Sequence, residues 1–308
     1  MSASSADRTV VTLGTATPGG GFPVYGQAVA DTINEVDATL DVQPRNTKGS
    51  TENVPLLEAG SLDLALVQGE VVHEALAGVG RAPADLRVLA AMYSTPGMFV
   101  VRADSPYRSI EDLKGRPVAF GARGSGLIIL ARYVLDGLGL DRDRDFQAVL
   151  LDAAGDGPAM VMDGRAAALW GGGIGWPGFT AVARGPAGAR FLVPDLDGIR
   201  RIQRKHPFLN QKTLDESGRN YADLTSERPS CARPCARVDV RPSSRAKDFL
   251  RRSGDRWAYR MVIASVACPS ASCRSLSAMP RIIAWLANVC RRVWKLTSSS
   301  LAASTAFS

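Results

Sequence analysis

Three short loops in the first half of the chain hold residues that could bind a small anion. The first loop, residues 14–21, reads Gly-Thr-Ala-Thr-Pro-Gly-Gly-Gly and separates an apolar strand pattern from a helix predicted over about 23–35. Glycines leave backbone N–H groups uncovered, and the positive end of the following helix faces them. The loop therefore predicts an anion site that needs no cationic side chain, unless it is simply a tight turn.

Nucleotide-binding motifs fit this loop poorly. A phosphate-binding P-loop requires Lys and then Ser or Thr after its last glycine, and here Phe22 follows Gly21. The dinucleotide fingerprint G-x-G-x-x-G fails at its second glycine, where Ala16 stands. A smaller anion such as a carboxylate is the better expectation.

The second and third loops share this chemistry. Residues 47–53 read Thr-Lys-Gly-Ser-Thr-Glu-Asn, and residues 121–126 read Gly-Ala-Arg-Gly-Ser-Gly, each directly before a predicted helix. Ser50 is placed to cap the helix that runs through Leu57. Three such loops, drawn from two halves of the chain, indicate a shared cleft that grips an anion from both sides.

The elements that must position these loops alternate along residues 8–205. Strand patterns and helical patterns follow one another, which is typical of α/β proteins with parallel-rich sheets and helices on both faces. Ligands of such sheets bind at the carboxyl ends of the strands. Strands are expected at 10–13, 39–43, 62–67, 88–92, 98–101, 118–120, 148–151, 166–170 and 191–193. The strand near 98–102 is expected to cross between two lobes, with the return near 206–214.

Charge and cysteine divide the chain unevenly. Of its 308 residues, 1–210 hold 20 Lys and Arg against 23 Asp and Glu, a net of −3. Residues 211–308 hold 17 against 7, a net of +10, and all five cysteines. A basic excess confined to one end argues against a nucleic-acid surface built into the main fold. The first seven residues lack a secretory signal pattern, and no apolar run of about 20 residues predicts a membrane span.

Individual candidates carry alternative readings. Gln68 ends an apolar strand where its side chain is expected to enter the cleft, and Ser50 and Asn53 could donate to a carboxylate. Arg123 could clasp a carboxylate or lie in solvent, and Tyr93 and Trp176 could wall the cleft or pack in the core. The expected ligand-binding residues are Thr15, Thr17, Gly19, Gly20, Phe22, Ser50, Asn53, Gln68, Tyr93, Arg123, Gly124, Ser125, Gly126 and Trp176.

Catalysis, metals and cofactors find little support in the sequence. His73 and His206 have no visible nucleophile partner, and residues 123–127 do not form a G-x-S-x-G elbow. The Cys pairs at 231/235 and 268/273 resemble a four-Cys zinc layout only loosely, because three and four residues separate their members instead of the usual two. We expect no catalytic residue, no metal and no cofactor.

Several motifs in order resemble one family of transport proteins. Residues 10–209 resemble the solute-binding subunits of tripartite ATP-independent periplasmic (TRAP) transporters, of the TAXI class. The resemblance runs through the first loop, residues 47–53, Leu-Glu-Ala-Gly-Ser-Leu-Asp-Leu-Ala-Leu-Val-Gln at 57–68, Ile-Glu-Asp-Leu-Lys-Gly-Arg-Pro-Val-Ala at 110–119, and 124–126. It departs at Arg123, where relatives carry a small residue or Pro, and at Leu127, where they carry a hydroxyl residue.

The resemblance implies a two-lobed type II periplasmic-binding-protein fold with an interlobe cleft. It further implies capture of a small carboxylate, glutamate-like or dicarboxylic, delivery to TRAP-type permease subunits, and a periplasmic location. We expect a monomer, with lobe 1 over 1–100, lobe 2 over 101–205 and a return to lobe 1 over 206–308. Two alternatives stay open, a cytosolic ligand-sensing module and an enzyme on the same fold that acts on an anionic substrate.

The tail beyond about residue 213 does not continue the family pattern. It turns rich in Ser, Arg, Cys and Pro, which suggests a frameshift near 210–225. The rival hypothesis is an added module, since residues 281–296 form a basic amphipathic helix pattern. On the frameshift hypothesis, the first lobe lacks the C-terminal segments that should complete it.

Overall fold

A computed structural model describes residues 8–173, 175–211 and 260–266. At residues 91, 93, 94 and 260–266 it describes the backbone alone. Within these ranges the chain forms two five-stranded sheets, each covered by helices.

The first sheet is built mainly from the N-terminal third of the chain. Its strands are β1 (Thr9–Gly14), β2 (Leu40–Arg45), β3 (Leu64–Gln68), β4 (Leu86–Ser94) and β10 (Arg260–Val266), in the order β2-β1-β3-β10-β4. Strand β1 runs parallel to both β2 and β3. The helices of this lobe are α1 (Gly21–Val36), α2 (Ser50–Glu58) and α3 (Gly69–Ala77). Helix α1 turns Phe22, Val29 and Ile33 toward the sheet, where they join the core around Leu13.

The second sheet contains the middle of the chain. Its strands are β5 (Met98–Arg102), β6 (Pro117–Ala122), β7 (Gln147–Leu151), β8 (Ala168–Gly171) and β9 (Ala189–Leu192), in the order β7-β6-β8-β5-β9. Its helices are α4 (Gly126–Leu138), α5 (Arg142–Asp145), α6 (Gly157–Met162), α7 (Pro177–Ala183) and α8 (Leu196–Lys205). Strand β6 is parallel to β7 and β8, which brings the carboxyl ends of these strands to one edge.

A cluster of aromatic side chains holds the second sheet to its helices. Trp170 is fully buried, and its ring lies 4.8 Å from that of Phe99 in an edge-to-face arrangement. The rings of Phe99 and Phe120 are also arranged edge to face, with 6.0 Å between the ring centres. The indole Nε1 of Trp170 donates to the carbonyl of Leu127 at 2.9 Å, so this core also fixes the first turn of α4.

The chain changes sheet at residues 95–97, earlier than the sequence predicts. Strand β5 does not cross between lobes, because it pairs antiparallel with β8 and β9 inside the second sheet. Its residues Phe99, Val100 and Val101 are wholly buried, as expected for a strand that lies between two others and is covered by side chains on both faces. The polar and glycine-containing turn before it makes the crossing instead.

The tail contributes one described element to the first sheet. Strand β10 lies antiparallel between β3 and β4, with Val262 opposite Val67 and Ala91. The tail therefore supplies one strand to the first sheet, and the frameshift near 210–225 stays a hypothesis. The five cysteines and the helix pattern over 281–296 lie outside the described residues.

Candidate functional site

The lobes touch along a line that we call the interlobe seam, formed by residues 14–21, 47–51 and 68 on one side and 121–126 and 153–156 on the other. The carbonyl of Gly124 accepts from the N–H of Thr51 at 3.1 Å and from its hydroxyl at 2.9 Å. The N–H of Ala154 donates to the hydroxyl of Thr17 at 3.2 Å. The second and third predicted loops therefore meet each other, while the first meets a segment that sequence reasoning missed.

Glycines allow the seam to close to backbone contact. A Cβ atom built on Gly19 would lie 2.5 Å from the Cα of Gly155, and one on Gly124 would lie 2.7 Å from the Cβ of Lys48. Both Gly19 and Gly124 also adopt positive φ, a conformation that other residues rarely tolerate. These glycines are needed at the seam for two reasons, backbone conformation and close approach.

Gln68 lies against the first residue of α4. It ends β3, is 3% exposed, and precedes α3 as its N-cap. A Cβ built on Gly126 would lie 2.6 Å from the Cβ of Gln68 and 2.7 Å from its side-chain oxygen. The side-chain Nε2 of Gln68 is buried with no hydrogen-bond partner among the described residues. A free amide donor is thus held beside the N-terminus of a 13-residue helix.

Four buried side-chain atoms in the described ranges lack hydrogen-bond partners. They are Asn53 Oδ1, Gln68 Nε2, Glu70 Oε2 and Thr95 Oγ1. A buried polar atom without a partner costs about 1–3 kcal/mol, so its retention calls for an explanation. Gln68 ends β3 and Thr95 follows β4, which places both at the edge of the first sheet that faces the second lobe.

Thr15 and Asn53 hold the loops in place. The hydroxyl of Thr15 donates to the carbonyl of Arg45 at 3.0 Å, which ties the ends of β1 and β2 together. The amide Nδ2 of Asn53 donates to the carbonyls of Thr15 at 2.9 Å and Leu66 at 2.8 Å. The hydroxyl of Thr15 and the amide of Asn53, which we expected to contact a ligand, therefore donate to backbone carbonyls of their own lobe.

The expectation that Ser50 caps α2 is wrong. Gly49 occupies the N-cap with φ of 120°, and Ser50 is the first helical residue. The Ser50 hydroxyl instead accepts from the backbone N–H of Gln68 at 3.0 Å, so it braces the end of β3. A serine does cap a helix at the start of α4, where the hydroxyl of Ser125 accepts from the N–H of Leu127 at 3.2 Å.

The remaining candidates lie at varied depths. The Arg123 side chain is 65% exposed, with its Nε 3.8 Å from a carboxylate oxygen of Asp152, as a solvated loop charge would be. Trp176 is buried in the core of the second lobe against Phe179, with 5.3 Å between ring centres. Phe22 joins the first core, and Gly20 is the N-cap of α1. The side chain of Tyr93 lies outside the described residues.

Glu70 is a buried acid that sequence reasoning missed. It stands in the first turn of α3 and is 1% exposed. Burial raises its pKa to about 8, because the charged carboxylate loses water without gaining a cation. The signal in the sequence was the pattern Gln-Gly-Glu directly after a wholly apolar strand.

Helices α3 and α4 begin together at the seam and stay in contact. The carboxylate of Glu74 accepts from Arg132 and, at 2.7 Å, from the hydroxyl of Tyr133. Burial and the bond to Glu74 raise the pKa of Tyr133 to about 12. His73 stacks on Phe208 with 4.2 Å between ring centres, which attaches the returning chain to the first lobe.

The described residues contain neither a metal-binding cluster nor a membrane-spanning helix. Among them, no group of three or more His, Cys, Asp or Glu side chains is arranged to hold a metal ion. None of their helices combines the length and the apolar character needed to cross a membrane.

Solved structures share this two-lobed arrangement. A structure described as a periplasmic transporter matches with a TM-score of 0.53 at 12% identity, covering 96% of this chain and 84% of its own. The effector-binding domain of QuiR in complex with shikimate matches with a TM-score of 0.51 at 12% identity, covering 90% and 96%. At these identities the likeness shows the fold, which is a two-lobed type II periplasmic-binding-protein fold.

The chain belongs to the NMT1-like family, whose model matches residues 13–217. The alkanesulfonate-binding protein SsuA of Xanthomonas axonopodis pv. citri, bound to MOPS, matches at 19% identity with a TM-score of 0.44. That match covers 61% of this chain, and the chain spans 62% of the length of that protein.

Proposed function

We propose that this protein is an extracytoplasmic, non-enzymatic receptor that captures a small carboxylate in the interlobe seam and delivers it to a TRAP-type membrane permease. The observation that carries this proposal is the Gln68 amide, which is buried beside Gly126 with Nε2 unpartnered. We expect an acceptor atom of the ligand to receive the hydrogen bond that this buried amide can donate.

The chemistry of the seam favours a carboxylate. Helix α1 starts after Gly20 and helix α4 after Ser125, and both starts lie at the seam. The positive ends of the two helix dipoles attract an anion there. A carboxylate has two oxygens that accept several hydrogen bonds, which fits this donor set.

Capture would use a hinge. The lobes are joined by residues 95–97 and by the chain that leaves α8, and rotation about such crossings opens and closes a cleft. The periplasmic location and the TRAP-type partner rest on the sequence resemblance at 47–53 and 57–68. Membership of the NMT1-like family is compatible with this location and this partner, but it does not specify either of them.

A thermal-shift screen tests carboxylate capture. We expect at least one of glutamate, 2-oxoglutarate and the C4-dicarboxylates to raise the melting temperature of the full chain. A ligand present at 100 times its Kd adds about 2.7 kcal/mol, which corresponds to a rise of several degrees. Sodium chloride at equal ionic strength is the control. A folded protein that is stabilised by none of these compounds and by no other small carboxylate would contradict the proposal.

A ligand-sensing module is the second candidate, favoured by the likeness to the QuiR effector-binding domain. Both candidates bind a ligand between lobes, so location separates them. Cell fractionation of the protein expressed from its own gene is the measurement. Recovery in the periplasmic fraction supports the receptor, and recovery in the cytoplasm supports the sensor.

A further inference from the structure

The polar groups left free at the seam are uncharged. Gln68 offers an amide and Thr95 offers a hydroxyl. The positive end of the α4 dipole lies beside Gln68. The cationic side chains of the neighbouring loops, Arg45, Lys48 and Arg123, are exposed to solvent rather than buried with Gln68 and Thr95. A single carboxylate can be held by such neutral donors, as helix N-termini do elsewhere.

Thr95 lies at the same edge of the first sheet as Gln68. The point where a Cβ would sit on Gly172 lies 2.8 Å from the methyl carbon of Thr95 and 3.5 Å from the side chain of Leu127. Leu127 follows Gly126, which contacts Gln68. Thr95 and Gln68 therefore both lie at the edge of the first sheet that faces the second lobe, both more than nine-tenths buried and each with a free polar atom.

The burial of Glu70 indicates that its surroundings destabilise a negative charge. It lies one helical turn before Glu74 on the α3 face that contacts α4, between the Gln68–Gly126 and the Glu74–Arg132 contacts. Burial dominates its raised pKa, and no cation offsets that burial among the causes that act on it. A second anionic group beside α4 would meet the same penalty.

We propose that the ligand carries one carboxylate together with an uncharged polar group, that Gln68 and the N-terminus of α4 hold the carboxylate, and that Thr95 contacts the uncharged group. This inference rests on the proposed function and narrows it, because it places compounds with one carboxylate and one amide ahead of dicarboxylates. Thr95 then becomes a binding residue at the crossing between the lobes.

Calorimetric titration of matched pairs tests the charge selection on the full chain. The pairs are succinate with succinamate, 2-oxoglutarate with 2-oxoglutaramate, and glutamate with glutamine, each differing by one carboxylate turned to an amide. We expect the amide member of the best-bound pair to bind at least tenfold more tightly at neutral pH. Tighter or equal binding of the member with two carboxylates overturns this inference alone. Failure of every member, and of all other carboxylates, overturns the proposed function as well.

The variant Thr95→Val tests the residue. It replaces the free hydroxyl by a methyl group of similar size, so we expect amide binding to weaken about tenfold while the unliganded protein keeps its melting temperature. Thr32→Val is the matched control, because the hydroxyl of Thr32 is bonded to the Ala28 carbonyl at 2.6 Å in α1. That control should lower stability and leave affinity unchanged. Unchanged affinity in Thr95→Val overturns the role of Thr95, and the wild-type pairs test charge selection independently of either variant.

Discussion

Alanine in place of Gly126 is expected to weaken carboxylate binding at least a hundredfold while the protein stays folded. The added Cβ would lie 2.6 Å from the Cβ of Gln68 and 2.9 Å from the hydroxyl of Ser50, both in the other lobe. Gly126 is helical, where alanine is favoured over glycine by about 1 kcal/mol, so the second lobe itself gains nothing unfavourable. The clash therefore acts on lobe closure, and a hundredfold loss corresponds to about 2.7 kcal/mol.

Titration calorimetry with the best carboxylate measures this effect, and thermal unfolding checks the fold. Gly60→Ala is the control, because Gly60 has positive φ and open space around its Cβ position. It should cost about 1–2 kcal/mol of stability through backbone strain and leave affinity unchanged. Affinity of Gly126→Ala within threefold of wild type would show that the seam does not close on the ligand.

Truncation of Trp170 is expected to give the largest loss of stability. Trp170→Ala should lower the free energy of unfolding of the second lobe by about 3–5 kcal/mol, as for other buried aromatic residues. The ring is wholly buried beside Phe99, and its loss also removes the bond from Nε1 to the carbonyl of Leu127. Part of the effect therefore reaches the helix start at the seam.

Urea denaturation followed by circular dichroism measures this loss. Trp170→Phe keeps an aromatic ring and removes the indole donor, so it should lose much less stability than Trp170→Ala. A change below about 1 kcal/mol in Trp170→Ala would contradict the packing described for the second lobe.

Local patterns predicted most elements because burial imposes periodicity on the sequence. Apolar residues at helical spacing over 127–138 predict a helix, and α4 spans Gly126–Leu138, ending at Gly139 with positive φ. Strand β3 was visible as an apolar run that stops at Gln68. In each case the deciding residues lie within one element and its two ends, so a short window of sequence contains the information.

Contacts across the seam could not be predicted from a short window of sequence. Thr17 meets Ala154, which is 137 positions away, and Gly19 meets Gly155 through backbone atoms that leave no residue-type signal on the partner side. Ser50 has the right type for a helix cap, yet the neighbouring strand end takes its hydroxyl. These outcomes depend on how the lobes and their strands are placed in three dimensions.

Glu70 and Thr95 were missed for a related reason. Each is a single polar residue beside a strand end, a position where exposed polar residues are ordinary. Their burial and the free atoms Glu70 Oε2 and Thr95 Oγ1 make them unusual, and both properties arise only after the lobes pack.

Hydrogen exchange with mass spectrometry tests most directly whether a carboxylate binds in the seam. The full chain would be compared with and without the compound that gives the largest thermal shift. We expect added protection concentrated in peptides that cover residues 66–70 and 124–130, where Gln68 meets the start of α4. Stabilisation by the compound without added protection in these two regions would contradict the site.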